Sequence, residues 1–208
     1  MREIDNILPE FSESFSYDYM DRFEIEDDYG RRIFINCDID EDIIENAVYH
    51  IMRYNREDKD VPIKDRKPIL VYINSAGGSV IAGYGLIDAI RLSKTPVYTI
   101  NLAFAASMGF LIFIAGHKRY AMPHSVFLMH DGSTMGYGST AKMRDRMEFE
   151  TIELEKETKK YIQNRTNIDD KMYDEKYRVE WYFLPSTAKD IGATDYIVGE
   201  DCEFDEII

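Results

Sequence analysis

An α/β fold with a largely parallel sheet is predicted by three observations on the 208-residue chain. Short β-branched and aromatic runs alternate with helical patterns along most of its length. The run PILVYIN (68–74) is apolar without a break, the pattern of a strand buried on both faces. The turn after it, through Gly77 and Gly78, leads into a helix.

In chain order, residues 1–28 are acidic, dotted with aromatics and without periodicity, and read as an extended or mobile arm. Residues 29–208 then form the folded domain. RRIFINCDI (31–39) is a strand candidate. EDIIENAVYHIMRYN (41–55) places Ile43, Ile44, Ala47, Val48, Ile51 and Met52 at helical spacing. A charged loop precedes the strand 68–74, and Ser79 is the N-cap of the helix that follows. TPVYTINL (95–102) is the next strand, and a short helix runs from Ser107 to about Gly116. Short strands are expected near RYAM and SVFLMH, then a long charged helix from Ser139 to Asn164 and a short amphipathic stretch over 168–178. STAKDIGATDYIV closes the pattern with one or two helical turns, a stop at Gly192 and a last strand.

Composition narrows the function. The formal charge of −14 argues against a nucleic-acid partner, because a phosphate-binding face needs clustered Lys and Arg. The one short basic cluster, Lys64 to Lys67, reads as a solvated loop. Cys37 and Cys202 lack metal-ligand spacing and read as two thiols of a reducing compartment. The N-terminus lacks the basic and apolar regions of a signal peptide, and the apolar run Leu102 to Ala115 is too short to span a bilayer. A cytoplasmic protein without a membrane partner is expected. No G-x-x-x-x-G-K-[ST] loop, H-E-x-x-H or paired C-x-x-C occurs, so no nucleotide or zinc chemistry and no cofactor is implied by those routes.

Chemistry centres on Ser107, a hydroxyl inside the small apolar run AFAASMGF. A buried helical serine can bond back to its own backbone. Alternatively, Ser107 lies between a strand and a helix, where a nucleophile is exposed and helix N–H groups face a developing oxyanion. NSAGGS (74–79) is by itself a tight bend, though Gly78 can present its N–H with no side chain in the way. His130 ends a strand, a common place for a structural histidine; His50 and His124 read as structural or solvated. The order of glycine turn, helix-opening serine and strand-ending histidine is more specific than any of its parts.

ILVYINSAGGSVIAG, AASMG, FLMH and AKDIGATDYIV resemble the proteolytic subunit of the Clp protease, the ClpP family, over roughly residues 30 to 198. The resemblance implies a crotonase-like α/β spiral of β-β-α units with a protruding handle helix, here at about 139–164. It implies a serine endopeptidase acting on unfolded polypeptide inside heptameric rings stacked as a tetradecamer and fed by an AAA+ unfoldase. Carried over by residue, Ser107 is the nucleophile, His130 the general base, and the N–H groups of Gly78 and Met108 the oxyanion hole. Substrate would lie along Gly78, Ser79 and Val80 and along the segment after His130, at Gly132. Tyr72 and Leu92 are candidates for partner-docking pockets between subunits, with a place in the core as the alternative for both.

Three departures accompany the resemblance. Ala76 replaces the proline usual in the glycine turn, and Asp131-Gly132 replaces a polar residue and proline after His130. The position of the triad's aspartate falls on Glu180. Glu180 is then either a working third member, a surface carboxylate, or the mark of a weak or inactive scaffold or regulatory ring subunit. A local shift would bring in Asp174 instead. An acyl-CoA enzyme of the crotonase class shares the fold but has no use for a Ser/His pair here.

Overall fold

The computed structural model describes residues 27–132 and 138–208. The expected arm, 1–28, lies outside the described residues except for Asp27 and Asp28, which sit in a helical turn running to Gly30.

Among the described residues, seven strands form one sheet: β1 (Arg32–Ile35), β2 (Ile69–Ser75), β3 (Val97–Ala106), β4 (Lys118–Ala121), β5 (Val126–Met129), β6 (Trp181–Phe183) and β7 (Tyr196–Ile197). The order β1-β2-β3-β4-β7 is parallel throughout. β3 is long enough to serve two further neighbours, β4 along Tyr98–Asn101 and β5 along Phe104–Ala106. β6 pairs antiparallel with β5.

The expected helices are present. Helix α1 (Tyr49–Glu57) continues a π-helical turn over Ile44–Val48. Helix α2 (Val80–Leu92) starts at Ser79, whose Oγ accepts from the Ala82 N–H. Helix α3 (Met108–Phe113) follows β3 with one residue between them. Helix α4 is continuous through Thr140–Glu148, a π-helical stretch at Phe149–Leu154, and Glu155–Arg165. Helices α5 (Asp170–Lys176) and α6 (Pro185–Asp190) complete the set.

Period-two alternation sorts the central strand between two packed layers. Ile69, Val71 and Ile73 of β2 join the cluster under α1, α2 and α3, while Leu70 and Tyr72 face the opposite layer with Ile100, Tyr120 and Val198. The second layer is closed by the 3-10 turn Phe204–Ile207, where Ile207 is buried and its C=O accepts from the Tyr72 hydroxyl. Each buried aliphatic side chain contributes about 1.5–3 kcal/mol, against about 0–1 kcal/mol for an exposed ion pair. The sheet's two apolar layers, not the charged surface, therefore hold the fold. Helix α4 divides in the same terms: Thr158 and Ile162 in its last third are buried, whereas no described residue from Thr140 to Leu154 is. That first part stands off the domain as a handle would.

Two differences from expectation bear on the site. β3 runs to Ala106, four residues beyond the predicted end, so Ser107 follows the strand directly. β6 was not legible in the sequence at all.

Candidate active site

Ser107 is where β3 turns into α3, and its backbone is strained: φ is +52° and ψ −120°. Two bonds fix it there. Its N–H donates to Leu128 C=O on β5 (2.9 Å), and its C=O accepts from the Leu111 N–H (3.2 Å). The parallel ladder ends at Ala106↔Leu128, so Ser107 falls beside Met129 with His130 one step on. Sheet register thus brings the serine and the histidine to one end of neighbouring strands.

The glycine turn reaches the same place from β2. Gly77 (φ +105°) packs so closely that a Cβ there would lie 2.7 Å from the Ser107 Cβ. Gly78 (φ +143°) forms an isolated parallel bridge with Ile39: Ile39 N–H donates to Gly77 C=O (2.7 Å), and Ser79 N–H donates to Ile39 C=O (2.6 Å). In an extended segment, successive N–H and C=O groups point to opposite edges. With its flanking groups bonded to Ile39, Gly78 turns its own N–H to the other edge, and no described residue accepts it. A Cβ on Gly78 would meet Ile39 O at 2.2 Å, so no other residue fits this turn. The Met108 N–H, first in α3, also has no acceptor among the described residues.

A cavity of about 50 Å³ opens where these pieces meet. Ser107, Met108, Val80, His130 and Gly132 line it, together with Phe110, Leu111, Met129, Thr158, Ile162 and Tyr177. Five sequence-predicted residues therefore share one cavity. Gly132 is exposed. Ser79 is not in the lining: its N–H and C=O are bonded to Ile39 and Gly83, and its Oγ caps α2. The expected substrate-edge role at Ser79 has no backbone group left to serve it. The segment after Gly132 is outside the described residues up to Gly138.

Glu180 precedes β6 and is exposed. The antiparallel ladder ends at Met129↔Trp181, and His130 and Glu180 are the next residues beyond it on the two strands. No hydrogen bond or ion pair joins His130 to Glu180 or to Ser107 among the described residues. Asp174, the alternative acid, is held by Lys159 instead, at 3.0 Å. Among the described residues no His, Cys, Asp and Glu cluster could hold a metal ion.

The two docking candidates differ. Leu92 is 81% exposed at the end of α2, whereas Tyr72 is only 5% exposed, stacked on Phe34 and covered by Ile207. Sequence reasoning missed the far wall of the cavity. Thr158 and Ile162 carry the one available signal, an i, i+4 pair on an otherwise charged helix; Tyr177 carries none.

A model of the Clp protease family matches residues 15–201. The chain is 32% identical to the ATP-dependent Clp protease proteolytic subunit 3 of Parasynechococcus marenigrum over 178 residues, 83% of this chain and 84% of the relative. It is 31% identical to the ATP-dependent Clp protease proteolytic subunit 2 of Corynebacterium efficiens over 186 residues, 88% of each chain. Subunit 2 of Rhodococcus jostii is 33% identical over 171 residues, 81% of this chain and 84% of the relative.

Proposed function

Because the chain belongs to the Clp protease family and is a ClpP-type serine endopeptidase subunit, we propose that Ser107 is its nucleophile, His130 its general base and Glu180 the acid that orients His130. The observation that carries this reading is the cavity shared by Ser107, Met108, His130 and Gly132. In the reaction, the Ser107 hydroxyl adds to the scissile carbonyl as His130 takes its proton. The oxyanion accepts from the Gly78 and Met108 N–H groups, for which no carbonyl among the described residues competes. Protonated His130 then gives the proton to the leaving amine, and water, activated by the same imidazole, releases the acyl group from Ser107.

The proposal extends to the assembly. The relatives' names carry "ATP-dependent", and this chain contains no G-x-x-x-x-G-K-[ST] loop, so ATP would be consumed by a separate AAA+ unfoldase that delivers unfolded polypeptide. Heptameric rings stacked in pairs would meet through the exposed Met143, Met147, Phe149 and Ile152 of α4, and the exposed Leu92 would serve partner docking. A reducing, cytoplasmic setting fits the two cysteines, both free thiols, and no helix among the described residues is long and apolar enough to cross a membrane.

A second reading, a non-catalytic ring subunit, is favoured by the absence of any hydrogen bond linking Ser107, His130 and Glu180 among the described residues. Labelling the purified protein with a fluorophosphonate and weighing it intact separates the two. One adduct, lost in Ser107→Ala, is expected. No adduct on a particle that sizing shows to be assembled overturns the peptidase reading for this chain acting alone.

A further inference from the structure

We infer that residues 203–208 are an intramolecular ligand: Ile207 fills an apolar socket on the sheet face that no α-helix covers, and it must leave before another chain can use that face.

Sheet register builds the face. Phe34 lies beside Tyr72, Tyr72 beside Ile100, Ile100 beside Tyr120 and Tyr120 beside Tyr196, one row across the five parallel strands. Rings stack at both ends of the row, Phe34 on Tyr72 with centroids 4.6 Å apart and Tyr120 on Tyr196 at 5.0 Å. A parallel sheet is ordinarily covered by helices on both faces. Here α1, α2 and α3 pack on the other face, and no α-helical residue belongs to the cluster around Tyr72 and Tyr120. What closes that cluster is Ile207, 1% exposed. Phe34 remains half exposed, so the apolar row runs on past its cover.

The cover is held lightly. The chain is pinned just before it, where the Asp201 carboxylate accepts from the Ile197 N–H (2.8 Å) and pairs with Lys189. Beyond Cys202 only the Ile207 side chain is buried, and Phe204 and Ile208 are exposed. The Glu206 N–H donates to Glu203 C=O (3.2 Å) and the Glu203 N–H to Glu206 Oε1 (3.3 Å), both within the segment. The tie to the sheet is the Tyr72 hydroxyl, which donates to Ile207 C=O.

One buried isoleucine and one hydrogen bond stand against the entropy of ordering the segment's backbone, terms of similar size. The segment therefore opens locally while the domain stays folded. Its tether returns Ile207 at high effective concentration, which shuts the socket against weak ligands. Once open, the socket fits an aliphatic side chain whose own carbonyl accepts from the Tyr72 hydroxyl.

The experiment reads the fluorescence of bis-ANS, a dye for apolar surface, on the natural protein, on Ile207→Asp and on a chain shortened to end at Cys202. Both variants are expected to keep the natural near-ultraviolet circular dichroism and to give about fivefold or more of the natural dye signal. The free hexapeptide EFDEII, at millimolar concentration, should displace that added dye from the shortened chain. The same peptide carrying Ile207→Asp should not. A dye signal in the folded variants equal to the natural one overturns the inference. So does loss of the circular dichroism in both variants, which would make the segment part of the core. Equal displacement by the two peptides overturns it as well, because the dye then sits on another surface.

Discussion

Ser107 holds a backbone conformation that a residue with a Cβ adopts only under constraint, at a cost of about 1–3 kcal/mol. The constraint is visible in its two backbone bonds and in the glycine at 77, which leaves room for the serine's Cβ. Glycine would occupy the same angles with little strain. Ser107→Gly is therefore expected to lose fluorophosphonate labelling and yet unfold at a higher temperature. A gain of about 1 kcal/mol corresponds to roughly 2–4 °C in a chain of this length. Calorimetry on both proteins checks it; a lower midpoint for the variant would mean that the serine side chain stabilises its own strained turn. The run AASMG made Ser107 legible as one hydroxyl among small residues. The strain was not legible, because it is imposed by β5, residues away in sequence.

At the scale of elements, β5 joins the machinery. One edge pairs with β3 in parallel and the other with β6 antiparallel; His130 follows its last residue, and Glu180 precedes β6. If the register assigns the acid correctly, Glu180→Gln should slow labelling of Ser107 by between tenfold and about 10⁴-fold, the loss seen when a triad acid becomes an amide. Glu180→Asp should retain most of the rate. A Glu180→Gln protein that labels as fast as the natural one would place the orienting group elsewhere. The sequence showed β2 clearly, since a strand buried on two faces is apolar along most of its length, and showed β3 only as far as Leu102. It hid β6, because three residues, Trp181 to Phe183, are too few for a period and owe their conformation to a partner more than fifty positions earlier. Tyr72 takes the core place that was its alternative, and a strand's apolar pattern does not say which element covers it. Here it is the chain's own Ile207.

Over the whole molecule, the alternation of strand and helix gave the α/β class and its largely parallel sheet. What no local pattern carried was the exposed half of α4. Met143, Met147, Phe149 and Ile152 are each more than a third exposed on a helix with no buried residue before Glu155, an arrangement that a monomer gains nothing from. Replacing Met147 and Phe149 together by Asp is expected to halve the particle mass in sedimentation while leaving the helical circular dichroism intact. An undiminished mass would show that rings meet through another surface.

The division of the site among β2, β3, β5 and β6 also orders events during synthesis. The glycine turn and Ser107 leave the ribosome early, but β6, which Glu180 precedes, is made only after α4 and α5. At about 5–20 residues per second, the interval between Ser107 and Phe183 lasts roughly 4–15 s. On the proposed triad, the nascent chain carries its hydroxyl through that interval without its carboxylate partner, so full activity would wait for the end of synthesis.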